Sequence, residues 1–311
     1  MNIKKIIFIF FVILFVFQLI MMNKQQQLKA SEIKPHVVAS TFSLYDIMKH
    51  ILEDTAKVET LLPFGVDTHS YEPTPKQVAK LYSSDLVVYS GAGLERWCSS
   101  FEFKNLAINM SEHVNLKKLE SHAEHDHGHD HEISMAQIDP HYWLDIDNMI
   151  KAAIVIKDEL SKLLPKHKKL YEKNTTLYID MLKKLDNDYK NKLATCDKDT
   201  IIVNHNAYSY LSSRYDFNVE ALSGLSPEAE PSAKSMISLI EHVKDSKIST
   251  IFFESFANDK AIKSIADEAK VSVKTLHPIG NITADEAKKS ITYEKIMRDN
   301  LEKISKALEC R

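Results

Sequence analysis

Histidines are the residues of this chain with the clearest chemistry, and they fall into two groups. The first is a run within residues 120–132, where five of the chain's 14 histidines alternate with carboxylates. These five are His122, His125, His127, His129 and His131. Such a composition cannot bury itself in a core, so it predicts a solvated loop that collects cations with low affinity. A solvated acidic loop that is only incidentally rich in histidine is the alternative, which five alternating histidines disfavour.

The second group is four single histidines, each in a setting that would hold the ring in place: His69, His141, His205 and His277. His141 follows a proline and precedes two aromatic residues, as expected of a residue in packed surroundings. The other three come at or soon after the ends of predicted strands. Because ligands bind beyond the carboxyl ends of strands in open parallel sheets, all four imidazoles could face one cleft.

This donor set predicts a site for a transition metal. Neutral imidazoles suit zinc, and a closed tetrahedral set of nitrogen ligands is typical of a non-catalytic zinc site. Glu254 also follows a predicted strand and is the alternative ligand. A mixed set of histidine and carboxylate would favour manganese or iron. For each histidine, a loop residue that bonds only to the backbone is the competing interpretation.

A secreted zinc hydrolase is the first competing hypothesis for function. Such an enzyme needs three protein ligands, an open metal position and a general base, a role that Glu72 or Glu254 could fill. The sequence contains no His-Glu-x-x-His pair and no Gly-x-Ser-x-Gly elbow. We therefore expect a binding protein and not an enzyme. Nothing beyond a secretion signal supports an adhesion protein.

Strands alternate with helices along the chain and predict an α/β fold with largely parallel sheets. The predicted strands are 37–41, 58–62, 86–89, 200–203, 219–222, 250–253 and 271–276. A helical pattern after Pro165 continues to about Leu193, which at 1.5 Å per residue gives a helix roughly 40 Å long. We expect two lobes, each a mainly parallel sheet flanked by helices, joined by this helix.

The expected organisation has four parts. Residues 1–30 form a signal peptide or signal anchor, since Lys4 and Lys5 precede an apolar run of about 17 residues, the short limit for a bilayer span. The N-terminal lobe is 31–165, the connecting helix 166–196 and the C-terminal lobe 197–311. We expect secretion across the cytoplasmic membrane, to the periplasm or the cell surface, with the N-terminal segment as the anchor if it stays uncleaved.

Composition and cysteine content narrow the range of functions. The 311 residues are enough for two domains, and a net charge of -3 argues against nucleic acid as a partner. Cys98, Cys196 and Cys310 are too few and too scattered for a disulfide framework or a thiolate zinc site. The sequence leaves open whether two of the three cysteines form one disulfide.

Five motifs, in order, resemble those of the metal-binding solute-binding proteins of bacterial ABC importers, the high-affinity zinc uptake type in particular. They are LPFGVDTHSYEPTP at 62–75, GAGLE at 91–95, DPHYWLD at 139–145, NHNAY at 204–208 and SPEAEPS at 226–232. The resemblance covers essentially all of the chain after the N-terminal segment. It implies two lobes bridged by a rigid helix with the metal between them.

Carried over position by position, the resemblance places the three histidine ligands of the family on His69, His141 and His205. It puts His277, in LHPIG at 276–280, where the family has a carboxylate. A four-histidine site and a three-histidine site completed by water are both open.

The acidic histidine-rich loop is a feature of the zinc branch of the family. The resemblance therefore favours Zn²⁺ as the bound ion over manganese, iron or nickel. The resemblance implies a membrane permease and its ATPase as partners, and we expect a monomer. Since Phe252 and Phe253 stand where some members have a cysteine, Cys310 is expected to be unpaired.

Overall fold

The computed structural model describes residues 34–119, 137–223, 248–254 and 260–311, with isolated positions at 13–18, 21, 237, 240–241 and 243. Most of the predicted signal segment, the histidine-rich loop 120–132 with its five histidines, and the motif at 226–232 lie outside the described residues. Of the helices in the described part of the chain, none combines the length and the apolar composition that a bilayer crossing needs.

A four-stranded parallel sheet forms the centre of the N-terminal lobe. In spatial order its strands are β2 (Lys57–Thr60), β1 (His36–Ala39), β3 (Leu86–Tyr89) and β4 (Leu106–Asn109). Val37 and Ala39 of β1 pack into one apolar cluster and Val38 into another, so both faces of the sheet are covered. Sequence patterns do not predict β4, because only Ile108 of its four residues is buried.

A second four-stranded parallel sheet forms the centre of the C-terminal lobe. In spatial order its strands are β10 (Ser272–Thr275), β9 (Thr250–Phe253), β7 (Thr200–His205) and β8 (Asn218–Ser223). A short antiparallel pair, β5 (Lys117–Leu119) and β6 (Gln137–Asp139), precedes this lobe in the chain. The carboxyl ends of the inner strands β7 and β9 carry His205 and Glu254.

Helices pack around the two sheets. They are α1 (Phe42–Leu52), α2 (Pro75–Ser83), α3 (Ile146–Leu163), α4 (Lys168–Lys192), α5 (Ser209–Tyr215), α6 (Lys260–Ala269), α7 (Ala284–Lys288) and α8 (Tyr293–Ala307). The 25 residues of α4 give a length of about 37 Å. The predicted architecture, two helix-flanked parallel sheets joined by one long helix, is confirmed.

The long helix α4 is bonded to both lobes. Near its middle, the Tyr178 hydroxyl donates to Asp46 Oδ2 on α1 at 3.0 Å. Near its end, the Tyr189 hydroxyl donates to the carbonyl of Met297 on α8 at 2.7 Å. The four residues at these contacts are buried. Helix α4 therefore packs into the cores of both lobes.

A disulfide joins Cys196, just after α4, to Cys310, just after α8. The expectation that Cys310 is unpaired is therefore wrong. The backbone after α4 is also bonded to the backbone after α8, since Lys198 N donates to the carbonyl of Leu308 at 3.0 Å. The bridge thus fastens the last helix to the end of the connecting helix, while Cys98 is free and half-buried.

Candidate metal centre

Three of the four predicted histidines lie together between the lobes. His69 lies in the loop between β2 and α2, His141 lies two residues after the end of β6, and His205 is the last residue of β7. Among the described residues, these three form a group of metal-binding side chains whose ligand atoms all lie within 4.8 Å of one another. The N-terminal lobe supplies His69 and His141, and the C-terminal lobe supplies His205.

The spacing of the three rings matches a tetrahedral metal. His69 Nε2 lies 3.1 Å from His141 Nε2, and His205 Nε2 lies 3.4 Å from the same atom. Two nitrogens bound at 2.0–2.1 Å to one tetrahedral zinc are about 3.3–3.4 Å apart. Neither distance therefore needs to change much when an ion enters.

Buried carboxylates fix the orientation of two of these rings. Asp139 Oδ1 lies 2.8 Å from His141 Nδ1, and Glu254 Oε1 contacts His205 Nδ1. All four side chains are at most 3% exposed. A carboxylate accepts a hydrogen bond from an Nδ1–H group. The Nε2 atoms of His141 and His205 then each carry a lone pair, and the two atoms face each other. Two lone pairs that face each other repel, and a cation bound between them removes this repulsion.

His69 differs from the other two histidines in its surroundings. It is half-buried, and its backbone N–H donates to Asp67 Oδ1 at 2.8 Å. Burial, followed by the nearby imidazoles of His141 and His205, lowers the pKa of His69 to about 2. Its ring is therefore neutral at physiological pH, the state in which imidazole binds a metal.

The space enclosed by the three rings is small. Its volume is about 10 Å³, room for one sphere of the size of a water molecule or a metal ion. The remaining walls are Val66, Asp67, Thr68, Trp143, Glu254, Pro278, Gly280 and Asn281. The space at the three rings thus has the size of a single ion.

His277 lies outside this group. Its Nδ1 accepts from Ile279 N at 2.9 Å, and its Nε2 lies 3.6 Å from Glu286 Oε2. Both nitrogens therefore have partners on the C-terminal lobe. Asn300 bonds to the backbone of His277 on both sides, which fixes the ring in this direction. The segment that follows His277, and not the histidine itself, lines the cavity.

Sequence reasoning did not assign roles to the aspartates that precede two of the histidines. Asp67 and Asp139 each lie two residues before a histidine, and each accepts a hydrogen bond from that histidine's backbone N–H, at 2.8 and 2.9 Å. The repeated Asp-x-His spacing is a local signal that could have identified both. Asp139 also accepts from the Ser209 hydroxyl of the C-terminal lobe.

The chain is similar to known zinc-binding proteins over most of its length. The family model described as "Zinc-uptake complex component A periplasmic" (ZnuA) matches residues 37–307. The zinc-binding lipoprotein AdcA of Streptococcus pneumoniae (strain ATCC BAA-255 / R6) is 32% identical over 286 residues, which are 90% of this chain and 57% of AdcA. The chain thus spans little more than half the length of that relative.

Two further comparisons extend over nearly the full length of the matched protein. The high-affinity zinc uptake system protein ZnuA of Bacillus subtilis (strain 168) is 33% identical over 282 residues, 88% of each chain. The crystal structure of the Zn(II)-bound ZnuA-like domain of Streptococcus pneumoniae AdcA matches with a TM-score of 0.74 and 31% identity. It covers 89% of this chain and 99% of that domain.

Proposed function

Because this chain belongs to the ZnuA family of zinc-uptake components, we propose that it binds Zn²⁺ outside the cytoplasmic membrane and delivers it to a membrane permease. The ion is the cargo and not a resident cofactor. Its protein ligands are His69, His141 and His205, with a water in the fourth position. Manganese and iron are the alternative cargoes of the same fold.

The observation that carries this proposal is the convergence of Nε2 atoms from both lobes. Their separations of 3.1 and 3.4 Å are those of ligands on one tetrahedral ion. Three protein ligands that are all imidazole nitrogens favour zinc over manganese, which prefers oxygen ligands. Asp139 and Glu254 are bonded to the outer nitrogens of the rings and so support the ligands instead of replacing them.

Three protein ligands and a water are also the plan of a catalytic zinc site. Two features favour transport over hydrolysis. Glu254 is held by His205, and Glu72 is exposed and does not line the cavity. The space bounded by the three rings also has the size of a single ion and not of a peptide or ester. A zinc-loaded preparation should therefore leave model peptides and esters intact, and their hydrolysis would favour the enzyme.

The proposal is tested by competitive titration of the purified chain against a zinc chelator. His69→Ala should weaken Zn²⁺ binding by more than about 100-fold, because loss of a ligand costs more than the roughly 10- to 100-fold typical of an outer partner. His277→Ala is the matched control and should leave the affinity within about threefold of the unmutated chain. Equal losses in both variants would contradict the ligand set.

Metal content distinguishes zinc from the alternative cargoes. The chain is expressed in medium that contains zinc, manganese, iron and nickel, and the purified protein is analysed for each element. One zinc per three-histidine site is the expected result. Manganese or iron in its place would keep the fold and change the cargo.

A further inference from the structure

One segment of the C-terminal lobe, residues 278–282, lies along the N-terminal lobe and bonds to it repeatedly. Trp143 Nε1 donates to the carbonyl of Pro278 at 2.7 Å, and Phe42 N donates to the carbonyl of Gly280 at 2.9 Å. These contacts join the two lobes directly beside the cavity, because Trp143, Pro278 and Gly280 all line it. Movement of one lobe against the other must break them.

Asn281 makes the bonds of this segment that reach the loop carrying His69. Its side-chain Nδ2 donates to two carbonyls of that loop, Pro63 O at 2.7 Å and Val66 O at 2.8 Å. Its Oδ1 accepts from Ile282 N at 2.8 Å, so the amide is held in one orientation. Gly65 N also donates to the carbonyl of Ile282 at 2.9 Å, a further bond between this segment and the His69 loop. The Asn281 residue is only 4% exposed, so water cannot easily replace these bonds.

The position of His69 depends on the loop to which Asn281 is bonded. His141 and His205 are oriented by buried carboxylates, whereas His69 lies in a loop and is half-buried. Only two residues, Asp67 and Thr68, separate His69 from Val66. Between them, Thr68 packs against Gly280 so closely that a Cβ at position 280 would lie 3.1 Å from the threonine side chain.

We propose that Asn281 is the latch that couples the position of His69 to the contact between the lobes. While its amide is bonded to Pro63 and Val66, His69 Nε2 is held within ligand distance of the site. When the lobes separate at this segment, His69 leaves first, and the ion is left with two imidazoles. Asn281 is therefore a positioning residue for metal retention and release, and this inference rests on the proposed function.

The test uses Asn281→Asp, which keeps the size and the acceptor for Ile282 N but removes both donors to the loop. We expect the zinc-loaded variant, mixed with excess chelator, to release Zn²⁺ about tenfold faster than the unmutated chain. The visible d–d bands of the Co²⁺-loaded variant should shift toward those of His69→Ala. Asn281→Ser repeats the measurement with a neutral side chain if the aspartate variant does not fold.

Asn300→Asp is the matched control. Asn300 is also buried and also donates through Nδ2 to a backbone carbonyl, but that carbonyl belongs to His277 within the C-terminal lobe. Its substitution should lower the melting temperature without changing the release rate. Equal acceleration by Asn300→Asp would mean that general destabilisation, and not the latch, controls release.

A double-mutant cycle separates action through His69 from every other route. In the His69→Ala background, Asn281→Asp should have no further effect on the release rate. A further tenfold acceleration there, or no acceleration in the unmutated background, would overturn the latch.

The latch can also fail or stand independently of zinc transport. In metal-free protein, Asn281→Asp should accelerate hydrogen exchange at the Gly65 amide, which bonds to Ile282 O. Unchanged exchange would contradict the proposed role of Asn281 even if the chain binds zinc tightly. If the unmutated chain did not bind zinc but exchange were faster in the variant, the transport proposal would be refuted. The contact of Asn281 with the His69 loop would still be supported.

Discussion

At the scale of single residues, the orientation of two imidazoles depends on carboxylates bonded to their Nδ1 atoms. Glu254→Gln should weaken Zn²⁺ binding by about 10- to 100-fold, because a neutral amide no longer selects the His205 tautomer that presents a lone pair on Nε2. Chelator competition measures the effect. The matched control is Glu59→Gln, which changes a second His–Glu pair, with His36 at 2.7 Å, outside the cavity lining. A comparable loss in that variant would contradict the argument.

The residues around the cavity show how far sequence alone predicts a site. The positions of His69 and His205 at or after strand ends and the packed surroundings of His141 predict these three as ligands, and the three lie together. His277 has the same relation to β10, but the pattern cannot say which way a ring turns after a strand. That direction is set by Asn300 and Glu286, which come later in the chain and meet His277 only in the folded protein.

At the scale of elements, the disulfide between Cys196 and Cys310 closes a loop of 114 residues and fastens α8 to the end of α4. Replacing both cysteines with serine should lower the free energy of unfolding by about 2–4 kcal/mol, mainly because the unfolded chain gains freedom. Zinc affinity should not change, since neither residue lines the cavity. Urea unfolding and chelator competition measure the two quantities.

The control for the disulfide is Cys98→Ser, which removes a free and half-buried thiol. It should change the free energy of unfolding by about 1 kcal/mol or less. The explanation of the bridge as a fastener would be wrong if the double serine variant were as stable as the unmutated chain. It would also be wrong if that variant lost zinc affinity in parallel with stability.

The short helix α7 predicts a dependence of stability on pH. Its capping residue Thr283 exchanges bonds with Glu286, and hydrogen bonding to His277, the largest cause, lowers the pKa of Glu286 to about 2. Since this pKa is below the ordinary 4.5, the stabilisation is complete above pH 4.5 and is lost as the pH falls toward 2. Glu286→Gln should cost about 1 kcal/mol at pH 7, because the group is partly exposed, and should flatten this dependence.

Urea unfolding between pH 2.5 and 7, with chelator present to exclude metal, measures the effect of Glu286→Gln. The matched control, Asp285→Asn, changes an exposed carboxylate in the same helical turn and should change stability little. If the unmutated chain and Glu286→Gln gave parallel curves, the lowered pKa would not be a source of stability.

The elements themselves were predictable where burial leaves a pattern. The apolar stretches at 37–41 and 200–203 predict the central strands β1 and β7, which are buried on both faces. The edge strand β4 and the short pair β5 and β6 leave no such pattern, because pairing with neighbours and not burial defines them. The disulfide was not predictable either, since Cys196 and Cys310 meet only after α4 and α8 pack together.

At the scale of the whole molecule, the proposal separates a tight site between the lobes from the histidine-rich loop 120–132. Deleting that loop should leave the affinity of the tight site unchanged, because the three clustered histidines come from other segments. It should reduce the number of additional weakly bound ions. Chelator competition for the tight site and equilibrium dialysis for the weak sites measure the two effects.

The control for the loop deletion keeps the length of the loop and replaces its five histidines with asparagine. Both variants should lose the weakly bound ions alike. A large loss of tight affinity in either variant would contradict the division between a collecting loop and a fixed site.

The contacts between the lobes predict a small closing motion. Helix α4 belongs to both cores, and the segment 278–282 bonds to the N-terminal lobe beside the cavity. A rearrangement of whole lobes would break all of these contacts, whereas release through the His69 loop breaks the bonds that Asn281 and Ile282 make with that loop. The molecule is therefore better suited to opening one loop than to hinging as a whole.

The most direct test of this account is a crystal structure of the zinc-soaked protein with anomalous data collected above and below the zinc absorption edge. We expect one strong zinc peak between the lobes, 2.0–2.1 Å from the Nε2 atoms of His69, His141 and His205, with the His277 ring still beside Glu286. An absent peak, or a peak away from these three rings, would contradict the claim that imidazoles from both lobes hold one ion.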